Sequence, residues 1–238
     1  MGQAYLMPDL EPLVEAAYRR FRRAAPPNLG VCTVCCMDPE VERRMLAKSP
    51  RDLTRDEMRE WFSAATAAGA GSGWILPRVL DGLARDEEMA ATGVEVTLRR
   101  FQAIAPGDPV VAAFIDGWFP AAVAMGRERL DDYLCMLRLG GWDRARLRSM
   151  VLDLPDALLV DRLWRDWCEG MHWPAAGSTA FWPDGESAAD IYAAPDLVTR
   201  VEAMALDEGV PEAQARRASA VYEVLARLPA TGPGDRSH

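Results

Sequence analysis

The chain has 238 residues, 50% hydrophobic and 26% charged, a balance that supplies a sizeable core and excludes a disordered chain. Its formal net charge of −9 excludes reliance on a broad basic surface, so no nucleic-acid partner is expected. All but one of its 27 basic residues are arginines, and its two histidines are His172 and His238. That leaves no phosphate-binding loop ending in Lys-Ser/Thr, no Schiff-base lysine beyond Lys48, and His172 alone for a histidine-centred triad.

In chain order, Asp9 is placed to cap a first helix. Leu10, Leu13, Val14, Ala17, Tyr18 and Phe21 then recur on one helical face. Asp38-Pro39 pairs an N-cap with proline at the first helical position, and Ser49-Pro50 closes that short helix, with Lys48 on its exposed end. Thr54 and Glu57 form a capping box with Leu53 and Met58 as its apolar staple; the helix is expected to reach the glycines at 69, 71 and 73. A fourth helix carries Leu76, Val79, Leu80 and Leu83, with Pro77 in its first turn.

Thr92 and Glu95 have the same box spacing, and Val94, Leu98, Phe101 and Ile104 predict a helix there. Asp108-Pro109 opens the next. Helices over 127–139, 143–153 and 155–169 follow, and residues 170–185 read as irregular because of Pro174, Gly177 and Pro183. Two last helices start near Pro195 and Pro211, and residues 229–238 are expected to form a disordered tail. The expected fold is all-α, about ten short helices in an orthogonal bundle or a solenoid-like stack of helix pairs. No Ser/Gly linker interrupts it, so residues 1–228 are expected to form a single domain.

No basic run followed by an apolar one opens the chain, and no stretch approaches the ~18 apolar residues of a membrane span. Five cysteines do not form a secreted disulfide framework. A cytoplasmic chain without a membrane partner is expected.

Cys32-Thr33-Val34-Cys35-Cys36 is the cluster with the most specific chemistry, because two thiolates separated by two residues can face one tetrahedral ion. Such a pair is half a structural zinc site. Its other ligands would come from Cys36, Cys135, Cys168 or His172, the last two being four residues apart. The alternatives are small apolar buried cysteines or a redox pair, for which the βαβ setting is missing. Trp164, Trp167, Trp173 and Trp182 surround His172 in sequence, the composition of an aromatic pocket or of a helix interface. Arg19, Arg20, Arg22 and Arg23 complement the C-terminal end of the first helix, with an anion- or partner-binding patch as the sharper alternative. Arg144, Arg146 and Arg148 read as a solvated face. The adjacent pairs Asp131-Asp132 and Glu87-Glu88 diverge on a helix and read as solubility.

Cys32-Thr33-Val34-Cys35-Cys36, then Pro50-Arg51-Asp52-Leu53-Thr54, then Leu76-Pro77-Arg78-Val79-Leu80 with Leu83-Ala84 resemble, in this order, a family of uncharacterised bacterial proteins. The resemblance covers at least residues 8–125. It departs where the family has an aromatic-rich segment before Leu-Pro-Arg and this chain has Ser72-Gly73-Trp74-Ile75. It implies a cytoplasmic bacterial protein and carries over no catalytic or binding residue. Two functions are expected from the residues: a non-enzymatic helical module that binds a protein partner, or a zinc-binding protein whose ligands include Cys32 and Cys35.

Overall fold

A computed structural model describes residues 10–66, 72–169, 181–183 and 186–228. The fold is all-α. Among the described residues no strand forms, and the single β-bridge pairs Val31 with Thr66. No described helix is long and apolar enough to cross a membrane. The expected cap Asp9, the irregular stretch at 170–180 and the tail at 229–238 lie outside the described residues.

The described residues fall into two compact units, one within Met1–Ala121 plus Leu139–Gly141, the other within Ala122–Arg138 plus Trp142–His238. The division falls inside a helix, where no change of composition marks it.

In the first unit, α1 (Glu11–Arg20) buries Val14 and Ala17 with Leu10 and Phe21 beside them, the stripe that the apolar spacing predicts. α2 (Pro39–Leu46) starts where Asp38 accepts from the amide of Glu40 at 2.8 Å. α3 (Arg55–Ser63) starts with the Thr54/Glu57 capping box, and Leu53 and Met58 are both buried. The glutamate of that box is itself buried. It accepts from Lys48 at 2.7 Å, so Lys48 is a partly buried ion-pair partner rather than an exposed helix end. α4 (Ser72–Ala84) packs against α1, and Tyr18 donates to Asp81 across that contact at 3.2 Å. α5 (Pro109–Met125) opens with Asp108 accepting from Val110 at 2.9 Å.

Three further expectations for this unit are corrected. α3 ends at Ser63, short of the glycines, because the chain beyond it turns extended: Ala65 and Thr66 pair with Cys32 and Val31. Arg100 holds that end, donating to the carbonyls of Trp61 at 2.8 Å, Phe62 at 3.3 Å and Ala64. Pro77 lies in the second turn of α4, because the helix begins at Ser72. The helix expected over 94–104 is instead a series of 3₁₀ turns, Val94–Val96, Arg99–Phe101 and Ala105–Gly107. The cap position there is Gly93, at φ +112° and without a side-chain cap bond, so the Thr92 box does not start a helix. The β-branched run Val94, Val96, Thr97 lowers helix propensity further, and burial of Thr97, Leu98 and Phe101 decides the path.

In the second unit, α6 (Leu130–Leu139) is buried over most of its length. α7 (Arg144–Leu152) is capped by Asp143, whose side chain accepts from Arg146 at 2.7 Å. α8 (Asp156–Trp164) runs into one π turn at Arg165–Glu169. After a short α9 (Ala189–Tyr192), α10 (Pro195–Leu206) and α11 (Glu212–Leu225) pack on each other, with α11 also against α8. Asp131 is fully buried, which overturns its reading as a solubility residue. It accepts from Tyr192 at 2.7 Å and from Arg129 at 2.9 Å. Asp166, also buried, accepts from Arg162 at 3.0 Å and from the Leu130 amide at 2.9 Å.

Arg100→Ala removes the donor shared by three carbonyls at the end of α3. The expected cost is about 2–4 kcal/mol of stability, read as a lower urea midpoint, with Arg100→Lys recovering part of it. An unchanged midpoint in Arg100→Ala would show that α3 does not depend on this clamp.

Candidate metal centre

The cysteine cluster lies on the connection between α1 and α2, and that connection is pinned on both sides of it. Leu29 is buried; its amide donates to Glu42 Oε1 at 2.7 Å and its carbonyl accepts from Trp61 Nε1 at 3.1 Å. Gly30 sits at φ +68°, the left-handed region glycine enters without strain, and its amide donates to Asn28 Oδ1 at 3.0 Å. Val31 then bridges to Thr66, and the Cys32 amide donates to the Ala65 carbonyl at 2.8 Å. On the far side the amide of buried Met37 returns to the Cys32 carbonyl at 3.1 Å, and Asp38 caps α2. The chain from Cys32 to Met37 is a closed turn.

That turn gathers three sulfurs. Cys32 Sγ and Cys35 Sγ are 3.6 Å apart, Cys35 Sγ and Cys36 Sγ 3.5 Å, and all three lie within 4.8 Å of one another. Cys32 is partly exposed, Cys35 and Cys36 are exposed, and none of the three is in a disulfide. The amides of Cys35 and Val34 point at the Cys32 sulfur and lower its pKa to about 7. The Cys35 thiol is pushed up to about 11, because it is hydrogen-bonded to Cys36 and Cys32 and a second negative charge so close is unfavourable. The turn therefore stabilises one thiolate and holds two further thiols beside it. A cation among the three sulfurs would reverse the penalty on ionising Cys35.

Of the other ligands expected from sequence, Cys135 is buried on α6 and Cys168 is partly buried on the π turn, both in the second unit. Burial, then the nearby Glu223 charge, raise the Cys168 pKa. His172 lies outside the described residues, as does Trp173 of the expected aromatic pocket. Trp164 is stacked by Arg217 at 4.5 Å, and Trp167 is buried edge-on against Tyr192 at 4.9 Å. The indole nitrogens of Trp167 and Trp182 are buried without a hydrogen-bond partner among the described residues.

Trp61, Glu42 and Arg100 position the cysteine loop, and sequence reading did not find them. The nearest local signal was the turn dipeptide Asn28-Leu29 leading to Gly30; the partners on α3 lie more than thirty residues away in sequence. Comparison with protein-family models, with curated proteins and with solved structures returns no match.

In metal-free, reduced protein, iodoacetamide at pH 7 is expected to alkylate Cys32 ahead of Cys35, read by peptide mapping. Because only the thiolate reacts, the Cys32 rate should fall about tenfold from pH 8 to pH 6. A Cys32 midpoint near that of an unperturbed thiol, or Cys35 reacting first, would contradict the amide-stabilised thiolate.

Proposed function

We propose that the protein binds zinc through Cys32, Cys35 and Cys36 and acts as a non-enzymatic helical module that docks a protein partner. The observation that carries the first part is the convergence of three sulfurs on a loop pinned at both ends. A tetrahedral zinc with Zn–S bonds of ~2.3 Å needs sulfurs about 3.8 Å apart. The Cys32–Cys35 and Cys35–Cys36 sulfur separations, 3.6 and 3.5 Å, sit close to that value. Soft thiolates favour zinc, copper(I) or iron over magnesium or calcium, and a three-sulfur set leaves one tetrahedral position for water or a fourth donor.

The docking role is supported by Val34. It stands between Cys32 and Cys35 with 95% of its surface exposed, an apolar side chain displayed by the turn that the ion would fix. A protein that co-purifies with the wild-type chain and is lost in Val34→Asp at unchanged zinc content would fit this role; loss of zinc in that variant would not.

The decisive experiment is elemental analysis of protein purified without chelator and in the presence of reductant, beside Cys32→Ser and Cys35→Ser. Near-stoichiometric zinc is expected in the wild type and none in the variants. Since the cysteines must be deprotonated to bind, zinc affinity should fall as pH is lowered, and acidification should release the metal. Absence of metal from the wild type, or metal that persists in both variants, would overturn the proposal.

A further inference from the structure

The arginines at the end of α1 are more than a complement to its dipole. Arg22 and Arg23 line a cleft of about 370 Å³, within the size range of small-molecule sites, together with Lys48 and Arg51 from the segment after α2. No carboxylate is among the described residues that line it. Lys48 is neutralised by Glu57 at 2.7 Å and Arg51 by Glu15 at 2.7 Å. Arg22 and Arg23 have no ion pair among the described residues, which leaves two uncompensated charges in one cleft of an acidic chain.

The place of Arg23 sharpens the point. Its guanidinium nitrogens lie 3.0 and 3.1 Å from where a Cβ at Gly73 would stand, beside the first turn of α4. That is the positive end of the helix dipole, and no acidic residue occupies the turn. A cation held there is stabilised by an anion shared between guanidinium and helix end. The rest of the lining is mixed: Tyr18 and Ser49 are polar, Ala25 and Pro50 offer accessible apolar surface, and Phe21, Trp74 and Pro77 lie buried beneath the cleft.

We propose that this cleft binds a phosphate monoester carried on a small apolar body, with Arg22 and Arg23 on the dianion and the body against Ala25 and Pro50. Two unpaired guanidinium groups match a doubly charged phosphate better than a carboxylate, and each presents the planar fork that phosphate oxygens accept. This site is independent of the cysteine cluster and does not rest on zinc.

The test is calorimetric titration of the full chain at fixed ionic strength with phenyl phosphate, inorganic phosphate and benzoate. One saturable site per chain is expected for phenyl phosphate, tighter than for either other probe. Arg22→Ala and Arg23→Ala should each weaken it about tenfold at unchanged Tm, since both side chains are exposed. Gly73→Ala, which crowds Arg23 without removing a charge, should weaken it too. Arg19→Ala, which removes the same charge from α1 outside the cleft, should leave it unchanged. Equal binding of inorganic phosphate would remove the apolar body from the proposal, and equal binding of benzoate would remove the dianion. No saturable binding, or affinity indifferent to Arg22 and Arg23, would overturn the site itself.

Discussion

The first unit depends on one half-buried cation. The Arg100 guanidinium gathers the last carbonyls of α3, groups that a helix end leaves without partners, and lies 4.4 Å over the Trp61 ring. Burial lowers its pKa, the direction expected of a charge taken from water, yet an arginine remains protonated there. With α3 ended at that point, Trp61 is held so that its indole reaches the Leu29 carbonyl, and the chain after α3 lies beside Val31 and Cys32. The three-sulfur turn is the far end of this series of contacts. Its geometry follows from a residue more than sixty positions away.

The second unit solves a different problem, that of carboxylates inside an apolar core. A buried charge is tolerated only when its lone pairs are used, and Asp131 and Asp166 use theirs on Tyr192, Arg129, Arg162 and the Leu130 amide. Tyr192, fully buried and facing Asp131, is driven well above the ordinary phenol range first by burial and then by that carboxylate, so it acts there only as a donor. Apolar neighbours complete the arrangement, with Trp167 edge-on to the same tyrosine ring.

The two features with chemical reach, the thiol turn and the cationic cleft, sit at opposite ends of one connection, residues 21–38 between α1 and α2. A long connection in a helical protein carries unsatisfied backbone groups unless something receives them. Here Glu42, Trp61, Asn28 and the bridge to Thr66 receive them in turn. Binding groups placed on such a segment are held by the helices around it, while their sulfurs and guanidinium groups stay accessible.

What the sequence by itself determined is local. The all-α class, the caps at Asp38, Thr54 and Asp108 and the stripe of α1 follow from interactions within one or two turns, which the order of residues encodes directly. The proximity of Cys32, Cys35 and Cys36 was legible for the same reason, since a tight turn brings neighbouring residues together. Tertiary structure decided everything that needs partners distant in the chain. It ended α3 early through Arg100, broke the expected 94–104 helix into 3₁₀ turns, buried Asp131 and paired Lys48 with Glu57. It also turned two arginines at a helix end into one wall of a cleft. Spacing records which residues share a helix face; only the packing of one helix on another decides which buried charge meets which partner.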